Sequence, residues 1–330
     1  MLTHHSFAAG AALPAAPAGA ASGWIDLLDP TAAELEQVAK HSQIRVPSRE
    51  ALQEIETSSR LRADGDMLYL SMPLGVRDDT QGLAPVPLGF ILSPQALITV
   101  RYRALHAFES VLAQFAGHPA GNSAELFSAL IEAMVDESAD MLEHLSTDLA
   151  FVSVHCFGQS PGVGAAAQAA RGARRGRAAL SRQLRESLHS LGSAGDHLSR
   201  IRERLLGLQR IARYVEEVAA WMPGPYKARL ARARQDLGSL VDFEAHLSGK
   251  TQFLLDAVLG FINTEQNDIF KVLTIVSVVG IPPTLIASMY GMNFHYMPEL
   301  SWRWGYGYGL GLIALSTLLP MVWFKRRGWW

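Results

Sequence analysis

Apolar positions along residues 24–103 come in short bursts of four to six, broken by Pro, Gly and Asp. Bursts at 24–27, 67–72, 88–92 and 96–100 read as β-strands. Between them, Pro30-Thr31 followed by Glu34 opens a helical pattern through Lys40, and Ser48 opens another to Ile55. These segments predict a small α/β domain, with no signal for the strand order. From about Ala104 the period lengthens. Leu180, Leu184, Leu188, Leu191, Leu198, Ile201, Leu205, Leu208 and Ile211 recur at steps of three and four with one gap of seven, a helical seam. Trp221-Met222-Pro223-Gly224-Pro225 breaks it. A second pattern then runs from Tyr226 through Leu230, Leu237, Leu240, Leu247, Leu254, Val258, Phe261 and Ile262, and no Pro intervenes before Pro282. The simplest reading is one helix to Tyr290, reaching on the order of 100 Å at 1.5 Å per residue.

Its last part changes character. Residues 272–290 and 304–324 contain no Asp, Glu, Lys or Arg. As helices they are roughly 28–32 Å long, about the thickness of a bilayer's hydrocarbon core. Two buried helices of a soluble protein would also be apolar. The lengths, the complete absence of charge and the aromatic flanks (Trp302, Trp304, Tyr306 and Tyr308; Trp323, Trp329 and Trp330) favour two membrane spans in a lipid bilayer. Lys325, Arg326 and Arg327 follow the second span and Lys271 precedes the first, whereas the loop 291–303 offers only Arg303. The positive-inside rule therefore places both termini in the cytoplasm and the loop outside.

Composition narrows the classes. The chain has 330 residues, a formal net charge of -2 and one cysteine, Cys156. That balance gives no global attraction to nucleic acid, and one cysteine builds no disulfide framework. Residues 1–23, mostly Ala, Gly and Pro without Lys, Arg, Asp or Glu, lack the basic start of a secretory signal and read as a disordered tail. Residues 158–176, rich in Gly, Ala and Arg, read as a solvated basic loop. No phosphate-binding Gly loop, metal-ligand motif or nucleophile elbow is present, so the chain does not read as an enzyme and no organic cofactor is expected. His155-Cys156 lacks the second ligand pair of a zinc site.

Polar residues inside a span need a reason. Asn267, Thr274, Ser277, Thr284 and Ser288 recur on the long helix with Gly280 and Ile281 between them, at several steps of three, four or seven. Several copies around an axis would line a narrow pore, with Phe270 and Leu273 as apolar rings able to gate by dewetting. Small polar residues also pack helices against one another. Spacing alone does not separate the two.

Between the spans stands Tyr290-Gly291-Met292-Asn293-Phe294, followed by Met297-Pro298-Glu299-Leu300. This resembles the CorA magnesium transporter family, whose signature is a Gly-Met-Asn triplet at this place. The run Gly260-Phe261-Ile262-Asn263-Thr264-Glu265-Gln266-Asn267, the triplet Pro282-Pro283-Thr284 and the terminal Phe324-Lys325-Arg326-Arg327 with Trp329 resemble its enterobacterial branch. The resemblance implies a funnel-shaped homopentamer in the bacterial inner membrane that admits Mg²⁺, with Co²⁺ and Ni²⁺ as secondary cargo, and that is gated by cytoplasmic Mg²⁺. It implies an α+β cytoplasmic domain at 24–115, cytoplasmic helices at 116–225, a stalk helix at 226–270 and a first span at 271–291. A periplasmic loop at 292–303, a second span at 304–324 and a basic tail at 325–330 complete it. Gly291, Met292 and Asn293 become the selectivity filter. Asp256, Asn267, Phe270, Leu273, Ser277, Ile281, Thr284 and Ser288 line the pore, and Glu299 draws cations to the mouth.

Ion chemistry suits this assignment. Mg²⁺ dehydrates reluctantly, so uncharged oxygens such as the Asn293 side-chain carbonyl can bind its hydration shell without trapping it, where a carboxylate ring would hold too tightly. The zinc-transporting branch of the superfamily tends to carry Ile or Val where this chain has Met292, and it lacks Met-Pro-Glu-Leu. Two features depart from the family. His295 stands where many relatives have Glu, and a histidine gains positive charge in the physiological range. The regulatory site pairs Asp78 and Asp79 with an acid on the long helix, but the matching position is Arg232, with Asp236 one turn away. Glu132, Asp136, Asp140 and Glu143 form an acidic stripe read as a solvated face.

Overall fold

The structure is a computed structural model describing residues 2–5, 23–42, 44–54, 60–78, 82–116, 120–157, 169–292, 295 and 297–329. It forms two compact units: Met1–Gln168 with Glu186–Leu255, and Ala169–Arg185 with Asp256–Trp330.

The first unit is built on a six-stranded sheet of order β1-β2-β6-β5-β4-β3. Its strands are β1 Leu2–His5, β2 Gly23–Leu28, β3 Leu61–Asp64, β4 Met67–Asp78, β5 Gly82–Leu92 and β6 Ala96–Arg101. Only β2 and β6 run parallel; every other neighbouring pair is antiparallel. The four strands expected from apolar bursts are present. The expected tail is corrected at its start, because Leu2–His5 pairs with β2, Leu2 opposite Leu27, and Leu2 packs on the core. A four-residue edge strand takes its stability from a partner distant in sequence, so no local pattern announces it. Residues 6–22 lie outside the described residues.

Both faces of the sheet are covered, which is why its strands are almost continuously apolar. One face sets Ile25, Leu27, Ile91, Ile98 and Val100 against Val38 and Leu52, from α1 (Ala32–Ser42) and α2 (Arg49–Gln53). Thr31 and Glu34 close α1 with a capping box: the Glu34 carboxylate accepts from the Thr31 N–H at 2.9 Å, and Thr31 Oγ1 accepts from the Glu34 N–H at 3.3 Å. Ser48 caps α2 by accepting from the Ala51 N–H.

The alternate residues face α3 (His106–Phe115), α4 (Ser123–Phe157) and α5 (Ala169–Val218). Trp24 lies 6.1 Å from Phe108, and Phe90 meets Phe127 edge-on at 5.6 Å. A side chain at Gly207 would place its Cβ 3.0 Å from Met72, so α5 crosses the sheet closely there. Helix α5 also corrects the expected loop at 158–176, because residues 169–176 belong to it. Ala and Arg are strong helix formers, and two glycines cost only about 1 kcal/mol each in a 50-residue helix. Residues 158–168 lie outside the described set.

The sheet holds one polar network at its centre. Arg101 donates to Asp26 through Nη2 at 2.7 Å and through Nε at 3.1 Å, and Thr99 donates to the same carboxylate at 2.7 Å. Trp24 Nε1 donates to Thr99, and the Arg101 guanidinium sits 4.7 Å from the Phe108 ring centre. All four are buried. The pair staples the parallel β2–β6 junction.

Helix α6, Gly224–Tyr290, is continuous over 67 residues, starting two residues before the expected Tyr226. Ion pairs tie its first half to its neighbours: Arg229 to Glu132 on α4, and Arg234 to Glu216 and Glu244 to Arg202 on α5. Arg204 on α5 pairs with Glu137 on α4. Its buried seam runs from Leu230 through Leu237, Leu247 and Leu254 to Val258. Beyond Val258 no residue of α6 is buried. The second unit also holds a 3-10 turn, Pro298–Ser301, and α7, Gly305–Arg326.

Candidate pore-lining helix and outer mouth

Helix α6 and α7 each contain an 18-residue window apolar enough to cross a membrane, of mean hydropathy 2.0 and 1.5, and these windows are 0% and 11% buried. A core helix of a soluble protein would be mostly covered. Ile269, Phe270, Val276, Ile281 and Leu285 are each about three-fifths exposed, so this surface requires lipid or further helices as its solvent.

Because α6 is unbroken, its polar positions can be placed around one axis. At about 100° per residue, Asp256, Asn267, Phe270, Leu273, Thr274, Ser277, Ile281, Thr284 and Ser288 fall within an arc of roughly 120°. All are exposed except Ser277, which is half-buried. The threonines have already spent their hydroxyl protons. Thr284 Oγ1 donates to the Gly280 carbonyl at 2.7 Å, and Thr274 Oγ1 donates to the Phe270 carbonyl at 2.7 Å. Each keeps only acceptor lone pairs for anything beside it. Acceptors suit the water hydrogens around a cation.

Pro282 and Pro283 lie inside the helix. Neither has an N–H, so the carbonyls of Val278 and Val279 lose their intrahelical donors. The helix ends at Tyr290. The Gly291 N–H donates to the Ala287 carbonyl at 3.0 Å, and Met292 N–H donates to the Met289 carbonyl. A Cβ at Gly291 would sit 3.3 Å from the Ala287 carbonyl oxygen, so a side chain there would crowd the last turn. Gly291 and Met292 are exposed, as is His295. Asn293 lies outside the described residues. Glu299 belongs to the 3-10 turn, which Ser301 closes by donating to the Pro298 carbonyl at 2.7 Å.

Where α6 ends, α7 begins beside it. A cavity of about 460 Å³ is lined there by Tyr290, Gly291, Trp302, Tyr306 and Ile313 among others. Gly305 and Gly309 are buried at this end of α7. Trp302 and Tyr308 pack at 5.8 Å at this end. At the other end Trp323, Phe324 and Trp329 stack, with Arg327 5.1 Å over the Trp323 ring. Aromatic residues thus mark both ends of α7, as at two membrane–water interfaces.

The regulatory candidates are dispersed. Asp78 ends β4 opposite Gly82, Asp79 lies outside the described residues, and Asp236 is exposed on α6. Among the described residues no group of three His, Cys, Asp or Glu is placed to hold a metal ion. The field of Asp236 instead reaches α4. Burial first, then Asp140, Glu132 and Asp236, pushes the Asp136 carboxyl above the usual range. The acidic stripe of α4 is thus coupled across the helix interface, which its spacing did not announce.

The chain was compared with known proteins. The model of the CorA-like Mg²⁺ transporter protein family matches residues 19–154 and 174–326. Among curated proteins, the magnesium transport protein CorA of Escherichia coli K12 is 32% identical over 308 residues, 93% of this chain and 91% of the relative. That of Yersinia pseudotuberculosis is 32% identical over 313 residues, 94% and 92% of the two chains. Among solved structures, the complete CorA magnesium transporter of Methanocaldococcus jannaschii superposes with a TM-score of 0.66 at 18% identity, covering 93% of this chain and 91% of that one. The full-length CmaX protein gives 0.65 at 15% identity, with 92% and 88% covered. The cytoplasmic domain of ZntB from Vibrio parahaemolyticus gives 0.53 at 12% identity, with 74% and 88% covered. At these identities the structural likenesses establish the fold alone.

Proposed function

Since this chain belongs to the CorA-like Mg²⁺ transporter family and is a transporter rather than an enzyme, we propose that it is a channel-type pathway for Mg²⁺ influx, with Co²⁺ and Ni²⁺ as secondary cargo. The observation that carries this reading is the uncovered, polar-striped face of α6, which runs unbroken to Gly291 at the Gly-Met-Asn triplet. One such stripe encloses nothing. A homopentamer in the bacterial inner membrane brings five together around an axis, with both termini cytoplasmic. Gly291, Met292 and Asn293 form the outer filter, and Asn293 offers a neutral oxygen to the hydrated ion. Ser288, Thr284, Ile281 and Ser277 follow inward, then the apolar rings Leu273 and Phe270, then Asn267 and Asp256. Glu299 raises the local cation concentration at the mouth, where His295 adds no negative charge.

Gating by cytoplasmic Mg²⁺ would use Asp78, Asp79 and Asp236 between neighbouring subunits. Bound Mg²⁺ neutralises acidic groups whose mutual repulsion otherwise opposes the closed packing. The same acidic field acts on Asp136.

Liposomes containing the purified protein test the reading. Wild type passes Mg²⁺ down its gradient, and Asn293→Ala assembles to the same size but loses at least tenfold in flux. Wild-type flux in Asn293→Ala overturns the filter assignment. Zn²⁺ flux that depends on a pH gradient, without Mg²⁺ flux, overturns the magnesium assignment in favour of the zinc branch.

A further inference from the structure

A cleft in the first unit, remote in sequence from the pore, has no part in the transport reading. It opens on the α1/α2 face of the sheet, where α2 is only five residues long and leaves β4 and β5 partly uncovered. Its volume is about 540 Å³, within the usual range of small-molecule sites. Tyr69 pairs with Ile91 and Ser71 with Gly89 in the floor. Helix α2 presses close beside them, since a Cβ at Gly89 would lie 2.8 Å from Leu52.

Among the described residues, three arginines line the cleft, Arg45, Arg60 and Arg62, against one acid, Glu54. Among the described residues Arg45 and Arg62 have no carboxylate partner. Arg62 lies with its guanidinium 4.8 Å from the centre of the Tyr69 ring, and Arg60 donates Nε to the Glu54 carbonyl at 2.6 Å. Ser71, in the floor, is 6% exposed, and among the described residues its Oγ has no hydrogen-bond partner. A buried hydroxyl without a partner costs stability unless a ligand satisfies it. A narrow crevice joins Ser71 and Arg60 to Arg210 on α5. Burial first, and then the Arg210 charge, lowers the Arg60 pKa, opposed by Glu203. Among the described residues the cleft therefore holds more positive charge than its acids balance.

We infer that this cleft binds a small phosphate-bearing anion, either free phosphate or the phosphates of a nucleotide. Guanidinium forks match phosphate oxygens in bidentate fashion, and the Ser71 hydroxyl supplies a neutral donor at the floor. The adjoining apolar wall of Val46, Leu52 and Ile91 provides a seat for an organic portion.

Calorimetry on the detergent-solubilised full-length protein, in Mg²⁺-free buffer with chelator, tests this with ATP, inorganic phosphate and adenosine. Wild type binds ATP or phosphate saturably, and adenosine does not bind. Tighter binding of ATP identifies a nucleotide site; equal binding of the two identifies a phosphate site. The double variant Arg45→Gln/Arg62→Gln changes only exposed side chains. It weakens binding at least tenfold, and Ser71→Ala weakens it severalfold without lowering the thermal midpoint of the ligand-free protein. Absence of saturable binding to wild type at millimolar ligand overturns the inference. So does wild-type affinity in the double variant, which would place the anion on another basic segment. Mg²⁺ flux is a separate readout, so failure here leaves the transport reading untouched.

Discussion

The Asp26 carboxylate is 3% exposed and accepts from both Arg101 and Thr99. Removing one partner of a buried pair leaves an uncompensated charge, at a cost of about 3–5 kcal/mol. Asp26→Ala therefore lowers the unfolding free energy of the first unit by about that much, measurable by denaturant titration. Arg213→Ala, which breaks the exposed and solvent-screened Arg213–Glu217 pair, leaves it nearly unchanged. Asp136 has the opposite sign. Its folded-state pKa is raised, so the folded chain holds the proton more tightly and stability falls as pH rises through the interval between the ordinary and the raised value. Asp136→Asn thus raises the thermal midpoint at pH 7. The gain vanishes below the ordinary carboxylate pKa, as a melting series in pH would reveal. Neither residue was legible as special beforehand. Asp26 and Arg101 are 75 positions apart; Asp140 and Glu132 share Asp136's helix, but its burial and the Asp236 charge come only from packing. Thr31 and Glu34 were legible because a capping box closes within four residues.

Elements were easier to read where hydrophobic period and length agree. The leucine seams of α5 and α6 follow from steps of three and four, because helix geometry puts those positions on one face, and the two spans follow from uncharged stretches long enough to cross a bilayer. Strand order and β1 were not readable, since both depend on pairing between distant segments. The basic segment at 169–176 misled because Gly suggested a loop, while its Ala and Arg extend the helix. For the pore, the continuity of α6 supplies what spacing lacked, a common axis for residues 256–288. Cysteine scanning checks it. With Cys156 replaced by Ser, single cysteines at Ser277, Ile281, Thr284 and Ser288 react with a small water-soluble thiol reagent in the assembled protein. Cysteines at Val279 and Ile286, about half a turn away, do not. Uniform reactivity around the helix would mean that this face packs against other helices instead of lining water.

At the scale of the whole molecule the two units have different solvents. The first closes its own core: its sheet is covered on both faces, and Phe90, Phe108 and Phe127 are the largest of its fully buried side chains. The second leaves most of its apolar surface open, so its stability depends on the bilayer and on other copies of the chain. Which end of each span faces the cytoplasm is then an electrostatic matter. Lys325 and Arg326 lie in the last turn of α7, Arg327 follows at its cap, and Lys271 sits at the start of the apolar part of α6, paired with Asp268 at 2.9 Å. A basic residue at the centre of a span costs about 2.5–3.5 kcal/mol on insertion scales, so the three clustered at one end predict that this end stays on the cytoplasmic side. In intact cells a cysteine introduced at the exposed Pro298 reacts with a membrane-impermeant maleimide, and one introduced at the exposed Gly328 reacts only after permeabilisation. Reversing the cluster with Lys325→Glu, Arg326→Glu and Arg327→Glu produces a mixed population in which Gly328→Cys labels from outside. Labelling of Gly328→Cys in intact cells carrying the unaltered cluster would invert the topology, and with it the assignment of the Gly-Met-Asn end as the outer mouth.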